Sequence, residues 1–269
     1  MIDISNQGLL ADRIRENPHA SYLLIFPHGL GDVLNAYPCI ESLKALFPKT
    51  RIDVALKESN QSLKLHTADM KYSYDFKFVA NYYIPSVKFK PLTKNQLFCK
   101  MELGIDPPED LFYKKSLGTF TSPIVTLGFH SYCFPVEQGC PLQVAENIAK
   151  GVKDAGFLPL LLKFENNVKL IEPYNYSKYI KASTEDCVSN FNNLFGLIER
   201  SYAFIGVLGG PMWAAFNLLG PNRCLCLEHM RNCSWKHYPD SEKQFIYQFD
   251  ITAEKVKEWL LNLKKTDQS

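Results

Sequence analysis

His28, Gly29, Leu30, Gly31 and Asp32 directly follow a short apolar run, and their types come nearest to those of a reaction centre. Glycines at 29 and 31 let a backbone bend sharply and approach a ligand, because neither carries a Cβ. Asp32 then falls at the start of the next helix, beyond the carboxyl end of a strand, the edge at which open α/β sheets bind ligands. A carboxylate there can serve as general base toward a hydroxyl. An acid that merely caps its helix fits the same position, and Gly-x-Gly without a third glycine is a weak dinucleotide signal. The second candidate stretch is Gly206-Val207-Leu208-Gly209-Gly210-Pro211-Met212-Trp213. It also follows an apolar run and opens a helix, whose exposed N–H groups and dipole favour an anion such as a diphosphate. A glycine turn needed only for close strand–helix packing has the same pattern. Trp213 suits either stacking on a base or sugar, or filling a core gap.

Both turns need a strand behind them and a helix ahead. Residues 22–26 are wholly apolar, as in a strand buried on both faces. Val33, Ala36, Tyr37, Ile40, Leu43, Leu46 and Phe47 then recur at helical spacing, and Pro48 ends that helix. Residues 51–56 read as the next parallel strand, which makes a right-handed βαβ unit. Residues 72–84 are rich in aromatics and suit one or two strands; 94–103 look helical; 105–110, with two adjacent prolines, suit a linker. A second α/β series follows, with strands expected at 124–129, 158–162, 203–207 and 224–227. Helices are expected at 141–155, 191–200 and 211–219, and a last one is capped by Thr252 with Val256, Trp259, Leu260 and Leu263 inward. The expected division is an N-terminal domain over 1–118, a C-terminal domain over 119–250 and a terminal helix over 251–269.

The 269 residues are 46% hydrophobic and 22% charged, enough apolar material for a sizeable core. A formal net charge of +2 gives no electrostatic reason to expect nucleic acid as a partner. No apolar run reaches the roughly 18–20 residues that cross a bilayer. The first residues lack the basic and apolar regions of a signal peptide, so a cytoplasmic location is expected. Eight cysteines are then expected as free thiols. Cys224, Cys226, His229, Cys233 and His237 invite a metal reading, but their spacing matches no standard zinc pattern. The strand expected at 224–227 is taken to turn Cys224 and Cys226 to opposite faces. No metal is therefore expected. His28 and His130 both fall at carboxyl ends of strands and are candidate site-lining residues; a loop at 231–239 brings Arg231 and Lys236 as candidate phosphate contacts.

Residues 23–55, from LeuLeuIlePheProHisGlyLeuGlyAspValLeu to ArgIleAspValAla, resemble the opening of glycosyltransferase family 9, which contains the ADP-heptose:lipopolysaccharide heptosyltransferases. Residues 203–221, AlaPheIleGlyValLeuGlyGlyProMetTrpAlaAlaPheAsnLeuLeuGlyPro, are similar to that family's nucleotide-sugar motif. The resemblance implies a GT-B architecture, two Rossmann-like domains facing each other across a cleft. It implies transfer of a sugar, heptose among the candidates, from a nucleotide-diphosphate donor to a glycan, lipid-linked glycan or protein, with inversion and without a cofactor. At most a peripheral membrane association is implied. Asp32 matches the proposed base, with His28, Gly29, Leu30 and Gly31 on the acceptor side. Gly209, Gly210, Pro211, Met212 and Trp213 match the donor motif; His130 and Glu165 match further donor-side positions. Three polar positions of that motif are here Leu208, Gly209 and Trp213. A protein that keeps the fold and binds a nucleotide or glycan without catalysis is the alternative. A nucleotide-sugar epimerase or other Rossmann enzyme is disfavoured, because neither turn is Gly-x-Gly-x-x-Gly.

Overall fold

The computed structural model describes residues 1–63, 65–82, 93–108, 123–129, 140–162, 180, 191–228, 245–247 and 250–268. They divide into two compact α/β units, one up to residue 108 and one from residue 123. The expected boundary between 118 and 119 lies outside the described residues.

The first unit runs β1 (Ile2–Asp3), α1 (Leu10–Glu16), β2 (Ser21–Phe26), α2 (Leu30–Leu46), β3 (Arg51–Leu56), β4 (Phe76–Val79) and α3 (Lys94–Phe98), which continues as a π-helical turn over Cys99–Leu103. Gly104 ends that turn in the left-handed region, at φ 71°. The four strands form a parallel sheet in the order β1-β4-β2-β3. Tyr22, Leu24 and Phe26 of β2 and Ile52, Val54 and Leu56 of β3 are buried, so these runs supply the sheet's contribution to the core. Among the described residues of the aromatic stretch at 72–84, one strand forms, β4. The first 20 residues, where no element was expected, hold β1 and α1: β1 has two residues, and α1 buries only Leu10, Ala11 and Ile14 among polar neighbours.

The second unit runs β5 (Ile124–Gly128), α4 (Leu142–Asp154), β6 (Leu158–Leu161), α5 (Phe191–Glu199), β7 (Ala203–Val207), α6 (Gly210–Leu219), β8 (Cys224–Glu228), β9 (Phe245–Tyr247) and α7 (Ala253–Gln268). Its five strands are also parallel, in the order β6-β5-β7-β8-β9. On one face Val125, Leu127, Ile205 and Val207 pack with Ile148, Val152, Val256 and Leu260, joining the sheet to α4 and α7. The Thr252 hydroxyl accepts the Lys255 amide at 3.3 Å, the expected cap of α7. Among the described residues no helix is long and apolar enough to cross a membrane.

Gly206 is needed for strand packing. A Cβ there would lie 2.2 Å from the Gly128 carbonyl oxygen on the paired strand β5. Gly206→Ala is therefore expected to destabilise the second unit by at least about 1–3 kcal/mol, the usual cost of overpacking a core. Urea denaturation of the two proteins measures this, and an unchanged midpoint would show that the strands part freely.

Candidate active site

In the first unit the chain leaves β2 to form β3 on one side and returns to form β4 on the other. The order of strands thus reverses between β2 and β4, the point at which open α/β sheets bind ligands beyond their carboxyl ends. His28 and Asp32 follow β2 there, and Ala80 and Tyr82 follow β4; the Ala80 amide donates to the Ile25 carbonyl at 2.9 Å and extends the pairing past the strand ends.

Gly29 is the N-cap of α2, with φ −70° and ψ 168°, a conformation open to any residue. The expected sharp glycine bend is not what this position requires: a Cβ at Gly29 would meet open space, and glycine leaves the turn bare. Leu30 and Gly31 form the first turn of α2, and Asp32 is its third residue. The N-cap Gly29 has no side chain with which to cap this helix. Asp32 Oδ1 pairs with Lys94 Nζ at 2.7 Å, the two side chains being 18% and 9% exposed respectively.

Lys94 opens α3 behind a capping box: the Gln96 amide donates to the Thr93 hydroxyl at 3.2 Å, and the Thr93 amide donates to Gln96 Oε1 at 2.8 Å. The Lys94 ammonium also lies 4.3 Å from the centroid of the Tyr82 ring. Tyr82 is fully buried; its hydroxyl accepts from Asn35 Nδ2 at 2.5 Å and donates to Asn95 Oδ1 at 2.5 Å. Asn95 Nδ2 donates to the Asn35 carbonyl at 2.7 Å. Burial pushes the Tyr82 phenol well above its usual range, so the group stays neutral and keeps its proton for Asn95.

His28 faces inward. Its Nε2 lies 3.1 Å from both the Ala80 carbonyl and the Tyr82 amide, and either ring tautomer bonds one of them. Burial lowers its pKa, which favours the neutral ring, and Phe26 meets it edge-on at 4.8 Å. Asn60 Nδ2 donates to the His28 carbonyl at 3.1 Å. His28 thus ties the turn after β2 to the segment after β4. Lys94, Tyr82, Asn35 and Asn95 were not among the sequence candidates. Their one local signal is Thr93-Lys94-Asn95-Gln96, a capping-box pattern that puts a lysine at a helix start, where the dipole disfavours it.

The second unit has its own reversal of strand order between β5 and β7. Gly209 is the extended N-cap of α6, and Gly210, Pro211 and Met212 form its first turn. Pro211 has no N–H, so Gly210 and Met212 supply the donors of that turn without an intrahelical acceptor. Leu208 and Gly210 are partly exposed, whereas Met212 is fully buried and Trp213 is 6% exposed. The Trp213 ring meets Phe216 at 5.4 Å and 66°. Of the donor candidates in this turn, then, Gly210 is partly exposed, Gly209 and Pro211 are buried, and the side chains of Met212 and Trp213 belong to the core. His130 and Glu165 lie outside the described residues, as do Arg231 and Lys236.

Cys224 and Cys226 are two apart on β8 and therefore share a face, contrary to the expectation of opposite faces, because strand side chains alternate with period two. Both are buried, and the Cys224 thiol donates to the Gly220 carbonyl at 3.5 Å. Among the described residues no group of three His, Cys, Asp or Glu side chains could hold a metal; His229, Cys233 and His237 lie outside them.

No family model matches the chain, and no curated protein matches it. Solved structures do. ADP-heptose LPS heptosyltransferase II of E. coli aligns over 93% of this chain and 100% of its own, at 16% identity and a TM-score of 0.65. The iron-containing dodecameric glycosyltransferase TibC of enterotoxigenic E. coli aligns over 93% and 78%, at 16% identity and 0.62. A glycosyl transferase family 9 structure from Veillonella parvula aligns over 92% and 97%, at 13% identity and 0.57. The chain has the GT-B-like fold of these proteins, two α/β units each built on a parallel sheet.

Proposed function

We propose that this protein is an inverting glycosyltransferase, with Asp32 as general base and a nucleotide-diphosphate sugar as donor. The observation that carries the reading is the shielded Asp32–Lys94 pair at the strand-order reversal of the first sheet. A carboxylate at that edge, in a fold of this type, suits proton removal from an acceptor hydroxyl. The acceptor oxygen attacks the anomeric carbon, its proton passes to Asp32, and the bond to the diphosphate breaks with its electrons on the leaving oxygen. Attack opposite the leaving group inverts the anomeric centre. The first turn of α6, through the partly exposed Gly210 and its amide, suits the growing charge on the diphosphate. Residues 1–118 form the acceptor side and 119–250 the donor side in this reading, with His130 and Glu165 completing the donor contacts. Heptose carried on ADP is the first donor to try, since that is the sugar in the name of the E. coli transferase. A glycan, a lipid-linked glycan or a protein is the acceptor class, and a lipid-linked one would bring the protein to a membrane surface.

Thermal denaturation with ADP-, GDP-, UDP-, CDP- and dTDP-linked sugars tests the reading. A ligand held at 100 times its Kd adds about 2.7 kcal/mol. At about 2–4 °C per kcal/mol for a domain of this size, the midpoint should rise by several degrees with one nucleotide family. No rise with any of them overturns the transferase assignment.

A further inference from the structure

We infer that Lys94 is the positioning residue for the Asp32 base, an assignment that rests on the transferase reading. Lysine is almost never buried unless paired, and the first residue of a helix is the place where its charge meets the positive end of the dipole. Lys94 is in both situations, 9% exposed at the start of α3. Replacing such a pair with apolar residues often leaves a protein as stable or more so, so stability alone does not account for it. Geometry does. Each of two helices contributes two members of one closed circuit: Asp32 and Asn35 from α2, Lys94 and Asn95 from α3. Tyr82 lies between them, its hydroxyl bonded to both asparagines and its ring 4.3 Å from the ammonium. The amine is thus fixed relative to the helix that carries Asp32, and its bond at 2.7 Å fixes Oδ1 of that carboxylate. With Oδ1 held by Lys94, the rotation of the carboxyl group is limited and the base is presented in one position.

Nucleoside-diphosphate release is the readout, with ADP-heptose as probe (or the donor that stabilises the protein in its place) and water or an added glycan as acceptor. Lys94→Met keeps the apolar stem and removes the charge. It should lower kcat roughly 100-fold, the scale of a misplaced catalytic group, while donor KM stays within about twofold of wild type. Lys94→Arg should recover part of the loss, and ethylammonium should restore part of the turnover of Lys94→Ala. A structural role would give neither recovery. If Lys94→Met melts early, the double variant with Asp32→Asn should regain the lost melting temperature, since the stranded charge is then gone. Wild-type kcat in a folded Lys94→Met protein overturns the positioning role and leaves the transferase reading intact; no donor turnover in the wild type overturns both.

Discussion

Asp32→Asn should reduce sugar transfer by about 10²–10⁴-fold, the range by which a positioned general base accelerates a reaction. The amide is close to isosteric with the carboxylate, and its oxygen still accepts a hydrogen bond from Lys94, but it takes no proton. The donor's affinity should stay near the wild-type value, because the backbone suited to the diphosphate lies in the other unit, at the start of α6. The fold should survive with some loss. Asp32 and Lys94 are 18% and 9% exposed, so the substitution leaves a shielded ammonium facing a neutral amide. Removing one partner of a fully buried pair costs about 3–5 kcal/mol, and the retained hydrogen bond keeps the cost below that. Initial rates of nucleoside-diphosphate release, read beside the melting temperature and the donor-induced shift, separate these effects. Full turnover in the variant would remove Asp32 from the mechanism.

Asp32 was legible in the sequence and Lys94 was not, for a physical reason. Asp32 belongs to a local pattern: an apolar strand, a glycine turn and a helix whose first residues must lie beyond the strand's carboxyl end. The structure has these elements at Ser21–Phe26 and Leu30–Leu46. Lys94 reaches it from 62 residues further along, through a helix of five residues that shows little periodicity. Only the sheet order, with β4 beside β2, brings Tyr82 next to His28 and so prepares a place for that lysine. Strands β5 to β8 of the second unit were legible for the same reason as β2, being apolar runs bounded by glycine or proline, whereas the three-residue β9 was not expected. The short elements β1 and α1 carry too few apolar residues to stand out, yet Leu10, Ala11 and Ile14 are fully buried. At the glycines, sequence spacing indicated flexibility where the structure shows space. Gly29 leaves a bare surface, and Gly206 admits a neighbouring strand.

Trp213→Ala should unfold the second unit at a markedly lower temperature and leave the donor-induced shift unchanged. Residues 211–219 are apolar or buried on every side of α6, which marks a helix enclosed by its domain rather than one lining a site. The Trp213 ring packs on Phe216, and its carbonyl accepts from Asn217 Nδ2 at 2.7 Å, a bond inside the same buried helix. Truncating a buried tryptophan costs about 3–5 kcal/mol through lost burial and the cavity left behind. At about 2–4 °C per kcal/mol, the midpoint should fall by roughly 6–20 °C. Trp213→Phe should fall less, since a ring still meets Phe216. Calorimetry with and without the donor reads both quantities on one sample. A variant that melts like the wild type yet no longer responds to the donor would place the indole against the ligand and return Trp213 to the binding site.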